Sequence, residues 1–220
     1  MNRTWAIGDV HGCERALTAL LNELAPSTDD TLVFLGDVVD RGPSTRGVIE
    51  KLISLAKSCR TVCVLGNHEE MLLTALRHGI DLHRWIVSGG QAALDSYGGD
   101  PEQVPEEHLE FLESFVPYWF DERAIYVHAN LQPGLPLDQQ TDAWLRWSRL
   151  TGREPRYSDA HVVVVGHTPQ PNGLPLVFDG WAGIDTLAYG GKWLTALEPA
   201  TGRMLQANEE GETRTGLAWS

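Results

Sequence analysis

The chain has 220 residues, 42% hydrophobic and 21% charged, the balance of an ordinary soluble globular domain. A formal net charge of −13 without any Lys/Arg block excludes a nucleic-acid groove, and no apolar run approaches the roughly 20 residues of a membrane helix. Three cysteines (Cys13, Cys59, Cys63) are too few and too oddly spaced for a disulfide framework, and Cys59 and Cys63 read as small core or near-core thiols.

The first strand is expected at 4–8, TWAIG, so close to the N-terminus that no signal-peptide apolar region precedes it; a cytoplasmic location is expected. Residues 13–24 place Leu17, Leu20, Leu21 and Leu24 at helical spacing. A second strand, TLVFLG (31–36), leads through GDVVDRG to a helix over 44–58. A third strand, TVCVLG (61–66), leads to a helix over 68–79 that Gly79 closes. Glu69 and Glu70 fall in the first turn of that helix, with Glu69 also placed to back a ligand. Residues 81–120 read as a helical insertion broken by SGG (88–90) and YGGDPEQVP (97–105). The remainder turns strand-rich, at RAIYVHA (123–129), HVVVVGH (161–167), LPLVFDG (174–180) and WLTALEP (193–199), with one short helix around DAWLRWSR. The tail NEEGETRTGLAWS is expected to fray.

Chemistry gathers at five strand ends: AIGDVHG, FLGDVVDRG, VLGNHE, YVHAN and VVGHT. Ligands of an open α/β sheet bind beyond the carboxyl ends of its strands. The five ends would therefore deliver Asp9, His11, Asp37, Asn67, His128 and His167 to one place. Carboxylate, imidazole and amide without thiolate suit a borderline-hard divalent ion, Mn first, with Fe or Zn as alternatives. Three His and two Asp exceed what one open metal site needs, so the natural partition is two metals sharing a carboxylate. Any one of these motifs alone is an ordinary turn, cap or core histidine; five together are hard to obtain without a shared site.

In this order GDVHG, GDVVDRG, GNHE, a strand-end His and GHT resemble the phosphoprotein phosphatase family of dinuclear metallophosphoesterases. The similarity is greatest to the bacterial and bacteriophage lambda type of serine/threonine phosphatase. RWIVSGG (84–90), WSR (147–149) and GIDTLAYGGKWLTALE (183–198) resemble further elements of that group, and the likeness covers nearly the whole chain. The resemblance implies one domain over 1–220, a four-layer α/β/β/α sandwich of two mixed sheets flanked by helices, with the insertion at 81–120 bordering the substrate cleft. It implies that Asp9, His11 and Asp37 hold one ion and that Asp37, Asn67, His128 and His167 hold the other, with Asp37 bridging. A metal-bridging hydroxide would attack phosphorus, Arg41 and Arg149 would grip the phosphate, and His68, oriented by Asp40, would serve as general acid. Arg149, beside Trp147 and Arg146, also reads as a plain surface arginine.

The activity implied is metal-dependent phosphomonoester hydrolysis, on a phosphorylated protein at serine or threonine or on a small phosphoester, with no membrane partner. A sister branch of the family, the symmetrical dinucleoside tetraphosphate hydrolases, is the alternative; its members tend to be longer and lack the SGG element. A non-catalytic phosphate-sensing scaffold is a remote third, disfavoured because all six ligands are present. Two positions depart from the family pattern: Leu187 stands where Gly usually follows IDT, and Asn130 where Gly or Asp is common. Both fall at the pocket rim, where they bear on substrate shape rather than metal binding.

Overall fold

β1 (Thr4–Ile7), β2 (Thr31–Phe34) and β3 (Arg60–Cys63) run parallel, linked by α1 (Glu14–Leu24) and α2 (Thr45–Leu55), in a computed structural model that describes residues 3–219. α3 (Asn67–His78) follows and stops at Gly79, whose φ of 65° lets its N–H reach the Ala75 carbonyl at 3.1 Å. α4 (Leu82–Trp85), a widened turn at Ile86–Gly90, α5 (Gln91–Ser96) and α6 (Glu106–Glu113) form the helical stretch expected after position 80.

That stretch ends sooner than the expected 120. β4 (Tyr118–Phe120) pairs antiparallel with β5 (Ala124–Val127), because three aromatics in a row favour a pleated, half-buried surface. After α7 (Asp142–Trp147) come β6 (Val162–Val165), β7 (Leu176–Phe178), β8 (Trp181–Gly183), β9 (Leu194–Glu198), β10 (Arg203–Ala207) and β11 (Thr213–Leu217). One sheet has the order β11-β10-β9-β1-β2-β3 and the other β4-β5-β6-β8-β7; each mixes parallel and antiparallel pairs.

The tail departs from the frayed expectation. β11 pairs with β10 over five residues, closed by a turn in which Asn208 Oδ1 accepts the Glu212 N–H at 2.9 Å. As an edge strand it is exposed at every second residue, so it carries little apolar signal.

Alternation along the strands divides the interior. Trp5, Ile7, Leu32 and Phe34 face the helices of the first sheet, where they pack with Leu17, Leu20, Ile49, Leu52 and Leu72. Ala6, Val33, Leu35, Val64, Tyr126, Val164 and Ile184 fill the seam between the two sheets. Val163 and Val165 face outward from the second sheet onto Leu145, Leu150 and Trp181, so that outer layer is the short α7 with irregular chain. The fold is the expected α/β arrangement of two mixed sheets flanked by helices. Cys59 and Cys63 are free, one buried and one half-buried. Among the described residues no helix is long and apolar enough to cross a membrane.

Candidate metal centre and active site

Apart from Arg149, which follows α7, every site residue that sequence reasoning singled out lies in the loop or the first helical turn beyond a strand end. The backbone there is forced into left-handed turns at non-glycine residues: His11 (φ 44°), Asp37 (49°), Asp40 (70°), Arg41 (65°) and His167 (59°). Such conformations cost free energy and persist only where surroundings impose them.

Glu69 is one such constraint. Fully buried in the first turn of α3, it accepts the backbone N–H groups of Asp37 (2.8 Å), Val38 (2.8 Å), Val39 (3.2 Å) and Gly66 (3.0 Å). A single carboxylate thus pins the loop that presents Asp37 to the helix that presents Asn67 and His68. Gly66 leaves no room for a side chain, since a Cβ there would run into Asp37 and Glu69.

Asp37 is the hub. His11 Nε2 lies 3.5 Å from its Oδ2, and His128 Nε2 lies 3.4 Å from its Oδ1. Ligand atoms of His11, Asp37 and His68 lie within 4.8 Å of one another, as do those of Asp37, His128 and His167. Asn67 does not cap its helix; its Oδ1 faces His128 Nε2 at 3.0 Å and His167 Nδ1 at 2.9 Å. Asp9 stands to one side, its two oxygens accepting the His167 N–H at 3.2 and 3.0 Å.

The donor set fits divalent metal. His11 Nδ1 donates to the Val39 carbonyl (2.8 Å), and His128 Nδ1 donates to the Leu35 carbonyl (2.7 Å). His167 Nε2 donates to the Trp147 carbonyl (3.3 Å). Each ring therefore turns its unprotonated nitrogen inward: His128 and His167 face Asn67 and Asp37 oxygens, and His11 Nε2 faces Asp37 with Arg41 Nη1 beside it. Lone pairs that face one another in a dry site call for a cation among them. Burial pushes the His11 and His128 rings below their ordinary proton affinity, and burial plus His128 takes His167 down to about 3. Neutral imidazole is the form that binds metal.

His68 is the opposite case. Burial disfavours its charge, but Asp37 and Asp40 override that and raise it above the ordinary histidine value. Its Nδ1 bonds Asp40 Oδ2 at 2.7 Å. Asp40 is itself held by the Trp85 indole N–H, 2.9 Å from Oδ1 and 3.0 Å from Oδ2. The two glycines after Ser88 now have separate reasons. A side chain at Gly90 would strike the Trp85 indole, and one at Gly89 would strike Arg41.

Arg41 donates from Nη1 to His11 Nε2 at 2.8 Å and lies over the Tyr189 ring at 4.7 Å. With Arg84, Arg149, Trp147, Val87, Asp37 and His167 it lines a cavity of about 530 Å³. Arg149 is exposed at that cavity, whereas Arg146 is buried in bonds to Glu70 (3.0 Å) and Asp142 (2.9 Å). The departure at Asn130 also has an account: its Nδ2 donates to the Arg149 carbonyl at 3.3 Å and braces that loop. Leu187 occupies a left-handed position (φ 62°), the conformation glycine adopts at least cost.

Sequence reasoning missed Trp85 as a partner of Asp40, Arg84 as a cavity-lining cation and Asp185 as a buried carboxylate near the site. Only the GIDT stretch carried a local signal for the last of these.

A family model described as calcineurin-like phosphoesterase matches residues 2–190. A symmetrical bis(5'-nucleosyl)-tetraphosphatase of Burkholderia pseudomallei (strain K96243) is 41% identical over 132 residues, 58% of this chain and 42% of the relative. The chain thus matches less than half the length of that curated relative. Among solved structures, one provisionally assigned as a diadenosine tetraphosphatase superposes with a TM-score of 0.70 at 21% identity, covering 100% of this chain and 95% of the other. The cold-active protein-tyrosine phosphatase of a Shewanella species gives 0.68 at 19% identity, covering 98% and 80%. At such identities the structures share the fold.

Proposed function

The chain belongs to the calcineurin-like phosphoesterase family, and from that premise we propose that it is a metal-dependent hydrolase that splits dinucleoside tetraphosphates symmetrically. The observation that carries this reading is the cavity beside Asp37: three guanidinium groups, Arg41, Arg84 and Arg149, converge on it together with the Trp147 and Tyr189 rings. Several cations suit a polyphosphate, and aromatic faces suit nucleobases. The bis(5'-nucleosyl)-tetraphosphatase relative supports the same substrate class.

Asp9, His11 and Asp37 would hold one divalent ion, and Asp37, Asn67, His128 and His167 the other. Ions held there supply Lewis-acid activation of water and of phosphoryl oxygen at neutral pH. The chain's own residues do the rest. Arg41 and Arg149 orient the phosphate oxygens, with Arg84 placed for the extended polyphosphate. His68, whose protonated form Asp37 and Asp40 favour, hands a proton to the departing oxygen. Trp85 fixes Asp40 so that the imidazole keeps its aim.

A second reading, dephosphorylation of phosphoserine or phosphothreonine, is favoured by one observation. Ile80, Leu82 and Val87 are exposed apolar side chains along the segment that borders the cavity, a rim suited to a peptide chain. The Mn-reconstituted protein, given diadenosine tetraphosphate and a phosphoserine peptide in parallel, tests both readings. ADP as the product, formed faster than phosphate is released from the peptide, is the expected result. The reverse order of rates would overturn the tetraphosphatase reading in favour of the second.

A further inference from the structure

One buried carboxylate beside the centre has no task in the scheme above. Asp185 follows the end of β8 and is only 1% exposed. Its Oδ1 accepts the Leu187 N–H at 3.0 Å, while its Oδ2 has no hydrogen-bond partner among the described residues. The Ile184–Asp185 peptide is packed against Gly8, the neighbour of Asp9: a Cβ at Gly8 would overlap the Ile184 carbonyl and lie 3.6 Å from the Asp185 nitrogen. Asp9 is likewise buried, and its oxygens meet only the His167 N–H among the described residues. Asp9 and Asp185 each stand two residues past a strand end, Ile7 and Gly183, and the residues between, Gly8 and Ile184, are packed together. Among the described residues no lysine or arginine forms an ion pair with Asp185. A buried carboxylate oxygen without a partner is costly unless a cation answers it.

We propose that Asp185 is a positioning residue of the metal centre, pairing with Asp9 so that their two carboxylates together hold a hydrated divalent cation on the Asp9 side. The proposal rests on the metal-centre reading given above. Its rival is a purely conformational role, in which Asp185 serves only to hold the left-handed Leu187 through Oδ1. Asp185→Asn separates the two, because the amide keeps Oδ1 and that bond but removes the charge.

The experiment is calorimetric titration of Mn²⁺ into chelator-stripped wild type, Asp185→Asn, Asp9→Asn and the double variant, with thermal melting of each stripped protein. In Asp185→Asn, one of two Mn²⁺ steps should weaken about 10–100-fold, as loss of a supporting partner does elsewhere, while the other step holds. In the Asp9→Asn background the second substitution should add nothing further, since paired groups are not additive. Stripped Asp185→Asn should melt at or above the wild type, being relieved of an unanswered buried charge. An unchanged Mn²⁺ isotherm, an additive loss in the double variant, or a lower melting temperature of the stripped variant would overturn the proposal and leave Asp185 as turn support. Wild type that binds no Mn²⁺ would overturn the metal-centre reading together with it.

Discussion

His68 and the three other histidines of the centre differ by what their second nitrogen touches. His11, His128 and His167 each give a ring N–H to a backbone carbonyl, and burial outweighs that bond and holds their proton affinity below the ordinary histidine value. His68 faces a carboxylate at 2.7 Å instead, which favours its proton. A proton on His68 matters most when the leaving oxygen is strongly basic. His68→Asn should therefore lose about 10²–10⁴-fold in kcat on an alkyl phosphate such as a phosphoserine peptide, far less on p-nitrophenyl phosphate, and retain both metals. Steady-state rates on the two substrates, with elemental analysis, check this; equal losses on both would remove the general-acid role. The two neighbouring arginines separate in the same manner. Arg149 lines the cavity, so Arg149→Ala should cost about 1.5–3 kcal/mol of transition-state binding, tenfold or more in kcat/KM, with an unchanged melting temperature. Arg146 is locked to Glu70 and Asp142 away from the cavity, so Arg146→Ala should lower the melting temperature and barely move KM. Kinetics and calorimetry on both variants decide it, and the opposite pattern would exchange their roles.

At the scale of elements, short strands hand the chain to tightly constrained loops, and the loop before β2 shows how such a connection is tied. Asp30 is buried; it accepts from the Arg3 backbone at 3.2 Å, the Arg3 side chain at 3.0 Å and the Ser27 N–H at 2.8 Å. These bonds, the Arg3 side chain foremost, hold its carboxyl well below the usual carboxylate range despite burial. A carboxyl lowered in the folded state stabilises the fold above its unfolded pKa of about 3.9, and that contribution is lost as pH falls through the lower folded value. Asp30→Asn should accordingly cost about 1.5–3 kcal/mol at pH 7, and the gap from wild type should shrink below about pH 4. Denaturant unfolding across that range measures it; a gap independent of pH would show that the charge contributes nothing. Elements of this kind differ in how plainly they are written in the sequence. β1, β2 and β3 and their helices were legible because alternating or helical apolar residues bury one face against a core. β11 was not, because an edge strand exposed on alternate residues needs its partner β10 to exist at all.

For the whole molecule, the site was legible where chemistry and position coincide. Asp37, Asn67, His128 and His167 are polar residues directly after apolar strands, and they converge as that placement requires. Their supports were not legible, because Trp85 reaches Asp40 across 45 residues of chain and nothing local at either position announces the other. The centre also concentrates buried carboxylates at Asp9, Asp37, Asp40, Glu69 and Asp185 in a protein already at −13. Metal should therefore stabilise the fold. At 100 times its dissociation constant a ligand contributes about 2.7 kcal/mol, or about 5–10 °C in melting temperature for a chain of this size. Calorimetry with Mn²⁺ and with chelator tests this, and superimposable melts would tell against a metal centre. The placement of the ligands also sets an order of events in folding. His128 meets Asn67 from 61 residues away, and His167 meets it from 100. During synthesis the residues at 9, 11, 37 and 67 emerge with β1–β3, half of a sheet whose other half, β9–β11, is made last, while both later histidines wait for β5 and β6. Closing loops of that length has a conformational cost that nearer contacts avoid. The candidate centre is then assembled late, and a nascent chain holds its acidic half, Asp9 and Asp37, before the two later histidines have been made.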